Sequence, residues 1–143
     1  MIPKYRAWHK SEMTQVRVID WNNEVVDLFD PYIEIPFDEI VLMQSTGLKD
    51  KNGQEIFEGD IITTNAYGCI VNFGEYTYLE DEDTQTTEVG FYLSFLNVTP
   101  ATYAPFEKFY WDNCEVIGNI HENELDLIMY ELHKYNKELS EAD

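Results

Sequence analysis

The sequence predicts a mainly β fold, a small barrel or sandwich core that ends in an α-helix. Three observations carry this. Short β-branched runs recur along the chain, glycine-bearing tight turns punctuate them, and the apolar spacing switches to three- and four-residue steps near residue 123.

Val16-Arg17-Val18-Ile19-Asp20, Ile40 to Met43 and Ile61-Ile62-Thr63-Thr64 are short, rich in β-branched residues and bounded by turn formers, so each is expected as a strand. Cys69 to Phe73, bounded by Gly68 and Gly74, and Val89 to Leu96 add two more, and Glu115 to Ile120 is the last. Asn52-Gly53 is a tight-turn signal, and Glu58-Gly59-Asp60 turns the chain into the strand at Ile61. Pro100 and Pro105 bracket an expected loop, Ala101 to Ala104. Glu75 to Glu88 holds six carboxylates and no Lys or Arg, and is expected as a long mobile hairpin loop. Leu125, Ile128, Met129, Leu132, Tyr135 and Leu139 then share one helical face, and Glu122-Asn123-Glu124 places a cap candidate and acidic residues at its start. The expected organisation is one domain over residues 1–143, with a β core over 1–121 and a helix over 123–139.

A chain of 143 residues, 44% hydrophobic and 15% aromatic, can bury a continuous core without disulfide or metal staples. Met1 to Glu12 carries Lys4, Arg6 and Lys10 with no apolar stretch of signal length, so export is not expected. Ile40 to Met43 is far shorter than the roughly 20 residues that span a bilayer, so no membrane association is expected. Without an export route, Cys69 and Cys114 are expected as reduced, buried thiols, and the sequon Asn97-Val98-Thr99 carries no information.

The 28 acidic residues against nine basic ones leave a net charge of −19. Such a field repels nucleic acid and anionic membrane, so direct nucleic-acid binding is not expected. The charge serves either solubility or imitation of a phosphate backbone. The candidate interaction residues are Glu80, Asp81, Glu82 and Asp83.

His9, His121 and His133 are scattered, with no pair at metal-ligand spacing and no HExxH or CxxC pattern. Asp50-Lys51-Asn52-Gly53 resembles the start of a calcium loop. However, such a loop needs Gly and Glu where this chain has Glu55 and Ile61. There is no GxSxG, GxGxxG or Walker lysine, so no catalytic, metal or cofactor-binding residue is assigned and no cofactor is expected.

Three stretches are specific when taken together: Lys4-Tyr5-Arg6-Ala7-Trp8, then Leu42 to Ile61 with its M-Q-x-T-G-L-K-D-K-N-G and E-G-D-I patterns, and Glu115 to Asn123 with V-I-G-N-I. They frame nearly the whole chain, which resembles the YopX family of phage and prophage proteins. The resemblance implies a β-rich fold with an SH3-like barrel, made inside a bacterial host cell. It implies no enzyme activity and supplies no catalytic residues. Physically the shared stretches look like scaffold. Thr46-Gly47, Asn52-Gly53 and Gly59 can supply turns, while Leu48, Ile56 and Ile61 are apolar anchors. A cleft lined by Trp8, Phe57 or Trp111 is the functional alternative.

The expected function is therefore that of a non-enzymatic phage accessory protein acting through protein partners in the host cytoplasm, as a homo-oligomer. Two other readings stand beside it. One is an acidic nucleic-acid mimic that occupies a basic host protein; the other is a small hydrolase or nuclease with an unmarked carboxylate site.

Overall fold

From Tyr5 onward, alternating inward and outward side chains drive a succession of antiparallel strands, seen in a computed structural model that describes residues 4–29, 33–64, 67–96, 98 and 100–122. Strand β1 (Tyr5–His9) meets β2 (Glu12–Asp20) through a two-residue turn, Lys10-Ser11, with φ of 47° and 65°. Positive φ at both turn residues matches the right-handed twist of the flanking strands. The next turn is organised by Asp20, whose Oδ1 accepts the N–H groups of Asn22 and Asn23, both at 3.1 Å. Strands β3 (Val25–Leu28), β4 (Glu34–Pro36), β5 (Val41–Lys49) and β6 (Glu55–Phe57) complete a six-stranded sheet in the order β4-β3-β2-β1-β5-β6. Ala7, Val26, Leu28 and Ile35 form its buried core.

At Phe57-Glu58-Gly59-Asp60 the chain leaves this sheet and begins a second. This comprises β7 (Asp60–Thr64), β8 (Tyr67–Leu79), β9 (Gln85–Phe95), β10 (Tyr103–Pro105) and β11 (Glu115–Asn119), in the order β10-β9-β8-β7-β11. A single helical turn, α1 (Lys108–Trp111), lies between β10 and β11. Ile56, Ile62, Cys69, Val71, Leu93 and Cys114 are buried together. Because Ile56 belongs to β6, this core joins the two sheets. Each fully buried Ile or Leu contributes about 1.5–3 kcal/mol.

Gly59 is a second tie. Its φ of 88° favours glycine, and a Cβ there would stand 3.1 Å from Met43 Sδ. Its N–H donates to the Val71 carbonyl at 2.7 Å and its carbonyl accepts the Ile120 N–H at 3.0 Å. One residue thus bonds both to β8 and to the segment leaving β11.

The six expected strands are all present, and the described residues are mainly β. Where a small barrel, SH3-like by resemblance, or a sandwich is expected, they form two antiparallel sheets and no closed barrel, the sheets bounded by β4 and β6 in one and by β10 and β11 in the other. Of residues 101–104, expected as a loop, Tyr103 and Ala104 belong to the edge strand β10, where Pro105 costs no ladder hydrogen bond because no strand pairs beyond it among the described residues. The long loop expected over 75–88 is also corrected. β8 and β9 stay paired from Cys69↔Phe95 to Leu79↔Gln85, which leaves only residues 80–84 as the connection. Alternating Tyr and Thr side chains outweigh the acids there, and Thr77 and Thr87 share a hydroxyl hydrogen bond of 2.9 Å across the pair. The helix expected over 123–139, with His133 in it, lies outside the described residues.

Candidate interaction site

The three specific stretches of the sequence meet where the chain crosses between sheets. Arg6 on β1 donates from Nη2 to Asp60 Oδ1 at 2.7 Å and to the Glu58 carbonyl at 3.3 Å, with its guanidinium 4.7 Å from the Phe57 ring centre. Asp60 is 1% exposed, and its Oδ2 accepts the Phe57 N–H at 2.7 Å. Burial pushes the Asp60 carboxyl up, opposed by Arg6 and the Phe57 N–H. Burial likewise raises Glu58, whose Oε1 accepts the Gln44 N–H at 3.3 Å. Trp8 stacks on His121 with ring centres 5.6 Å apart, and burial together with the Arg6 charge pushes that imidazole down.

Asp50 completes the arrangement. Its Oδ1 accepts the N–H groups of Asn52 and Gln54, and its Oδ2 accepts the Val116 N–H, each at 2.9 Å. Burial alone would raise this carboxyl, but the three N–H donors and Lys51 overcome it and hold it below its ordinary value. The segment that resembles a calcium loop is thus a hairpin loop stapled to β11. Thr46 works similarly, donating to the Ile56 carbonyl at 2.7 Å beside an irregularity in β5 where Gly47 has φ of 78°. These polar groups bond to the chain's own backbone and side chains, which is a scaffold's use of them. Trp8, Phe57 and Trp111 occupy three separate settings. Trp8 faces His121, Phe57 lies beneath Arg6, and Trp111 packs on the Ile56 core with Lys108 5.1 Å from its ring centre. None lines the cavity that forms beside the β8–β9 hairpin.

That cavity, of about 740 Å³, lies between the β8–β9 hairpin, β10 and α1. Tyr67, Tyr78, Tyr103 and Phe109 supply its aromatic walls, and Glu80 and Glu107 are its carboxylates. Phe109 is 68% exposed, Tyr67 51% and Tyr103 41%. The walls continue along the sheet as a ladder. Tyr78 stacks on Tyr76 at 5.7 Å, Tyr76 on Tyr92 at 4.7 Å, and Tyr92 meets Tyr103 edge-on at 5.9 Å. Both Tyr76 and Tyr78 donate their hydroxyls to Glu88 at 3.1 Å. Burial first, then Glu88, pushes the Tyr76 hydroxyl up to about 12 and Tyr78 in the same direction, so both stay neutral donors at physiological pH.

Of the four candidate acids at the hairpin tip, only Glu80 lines this cavity. Asp81 forms the turn, its Oδ1 accepting the N–H groups of Asp83 and Thr84 at 2.9 Å, and these bonds lower its carboxyl. Glu82 and Asp83 are exposed. Sequence reasoning missed Tyr67, Tyr103, Phe109 and Glu107; the period-two pattern Tyr76-x-Tyr78 was the one available signal.

Cys69 and Cys114 are free and buried, as expected, and burial pushes their thiols up to about 12 and about 11. Among the described residues, no group of three His, Cys, Asp or Glu could hold a metal ion, and no helix is long and apolar enough to cross a membrane.

The YopX protein family model matches residues 4–126. The chain is also similar to the crystal structure of protein EF1440 from Enterococcus faecalis, with 28% identity and a TM-score of 0.46, covering 89% of this chain and 99% of that one. No curated protein matches the chain.

Proposed function

This chain belongs to the YopX protein family, and on that premise we propose that it is a non-enzymatic phage or prophage accessory protein that acts through protein contacts in the host cytoplasm. The exposed aromatic cavity beside the β8–β9 hairpin carries the reading. Large aromatic side chains held open to solvent in one concave patch mark interaction surfaces, because leaving them wet forgoes the stabilisation that burial gives. The internal bonding of Arg6, Asp50 and Asp60 supports the same reading, since it commits the family stretches to holding the sheets together.

A photo-reactive phenylalanine analogue placed at Phe109, with Val18 on the other sheet as the control position, tests this in host-cell extract. A discrete protein adduct formed from Phe109 and not from Val18 is expected. Equal labelling from both positions, or none from either, would count against the cavity as a contact surface.

One observation favours the nucleic-acid-mimic reading as well: Glu80, Asp81, Glu82 and Asp83 all stand exposed at the hairpin tip, and none is in an ion pair among the described residues. Replacing all four by their amides should slow association with a basic partner if the tip is the contact, and leave it unchanged if the acids serve only solubility.

A further inference from the structure

We propose that the aromatic cavity between the β8–β9 hairpin, β10 and α1 receives a Lys- or Arg-bearing extended segment of a protein partner, an assignment that rests on the protein-contact reading above. Among the described residues the lining contains two carboxylates, Glu80 and Glu107, and no Lys or Arg. Its aromatic faces are those that attract a guanidinium or ammonium group, which gains from the ring quadrupole while its carbon stem covers apolar surface. The same chain already uses this contact internally, with Arg6 over Phe57 and Lys108 over Trp111.

Charge complementarity selects among the possible occupants. A second copy of this chain carries −19 and would bring like charge to an acidic cavity. The chain's own residues 123–143 carry six carboxylates against Lys134 and Lys137, which makes them a poor match for the same reason. A basic segment supplies the charge that the cavity lacks. The fields of Glu80 and Glu107 already reach Tyr78, where they help to raise its hydroxyl, so the negative potential extends across the aromatic wall. The exposed ring of Phe109 can stack with a guanidinium, while the Glu107 carboxylate offers a bidentate partner to it.

The test uses the full chain and a fluorescein-labelled peptide of roughly twelve residues in which Arg and Lys alternate with Ala and Pro, followed by fluorescence anisotropy. Saturable binding is expected, weakening about tenfold between about 50 mM and about 300 mM salt. Two pairs of substitutions at exposed positions should each weaken it by about tenfold: Tyr103→Ser with Phe109→Ser, and Glu80→Gln with Glu107→Gln. Glu34→Gln with Glu39→Gln removes the same charge from β4 and the turn that follows it and should change affinity by less than about twofold. Circular dichroism of each variant confirms that the fold is retained. If the Glu34 and Glu39 pair weakens binding equally, the attraction is diffuse and the cavity assignment falls. If the aromatic pair has no effect, it also falls. Crosslinking from Phe109 without peptide affinity would overturn the basic-segment assignment and leave the protein-contact reading standing, whereas loss of both would remove both.

Discussion

Asp50 gathers three backbone N–H groups onto one carboxylate, and no other side chain of its size can do the same. In Asp50→Asn an amide replaces one oxygen, so either the Val116 N–H or the loop N–H groups face a donor. The variant should lose about 1–3 kcal/mol in denaturant unfolding. The pH dependence has a defined sign. The folded Asp50 carboxyl lies below its ordinary value of 3.8, so its contribution is present above that value and is lost as pH falls through the lower folded value. The gap in stability between wild type and Asp50→Asn should therefore be constant near neutrality and shrink in acid below the ordinary carboxylate range. A gap that stays constant through that range would refute the role assigned to this carboxylate. The Arg6–Asp60 pair obeys a different rule, because both charges are withdrawn from water. Arg6→Met or Asp60→Leu alone strands the other charge and should cost about 3–5 kcal/mol, while the double substitution should recover much of that loss. Additive losses in the double variant would show that the pair does not act as a unit.

Turns decide which strands could be read from the sequence. Asn52-Gly53 and Gly59 announced themselves through residue type, and φ values of 84° and 88° explain why glycine stands at those positions. Gly59→Val should accordingly destabilise by about 1–3 kcal/mol, because it meets positive φ and the Met43 sulfur together. The β1–β2 hairpin carried no such mark. Lys10 and Ser11 adopt the positive φ of a tight hairpin turn without Asn or Gly, and β1 and the first half of β2 passed unread. Ser11→Gly should relieve that strain and raise the thermal midpoint, with a gain of about 1 kcal/mol. No gain would mean that the turn is held by other contacts. β3, β4, β6 and β10 were missed for another reason: at three or four residues each they are too short for a period-two pattern to stand out. β8 and β9 run beyond their expected bounds, because the Tyr and Thr alternation that pairs them outweighs the acidic composition between residues 75 and 88.

Much less of the candidate site was legible, because Tyr67, Glu80, Tyr103 and Phe109 are brought together by pairing of β8, β9 and β10, and nothing local links them. The charge was legible, and it constrains assembly of the whole molecule. Two copies at −19 repel, so a homo-oligomer must bury enough apolar surface to overcome that field. The apolar stripe through Leu125, Ile128, Met129 and Leu132 is one part of the sequence with that character. If it mediates assembly, light scattering should give a multiple of 16.8 kDa, and the multiple should grow more populated as salt rises, because screening weakens repulsion between copies while apolar contact persists. Leu132→Asp should then return the mass to 16.8 kDa without loss of the β signal in circular dichroism. Global unfolding of that variant would instead place the stripe inside the chain's own core. A wild-type mass of 16.8 kDa across a wide range of concentration and salt would exclude the oligomer, leaving the acidic surface to act from a monomer.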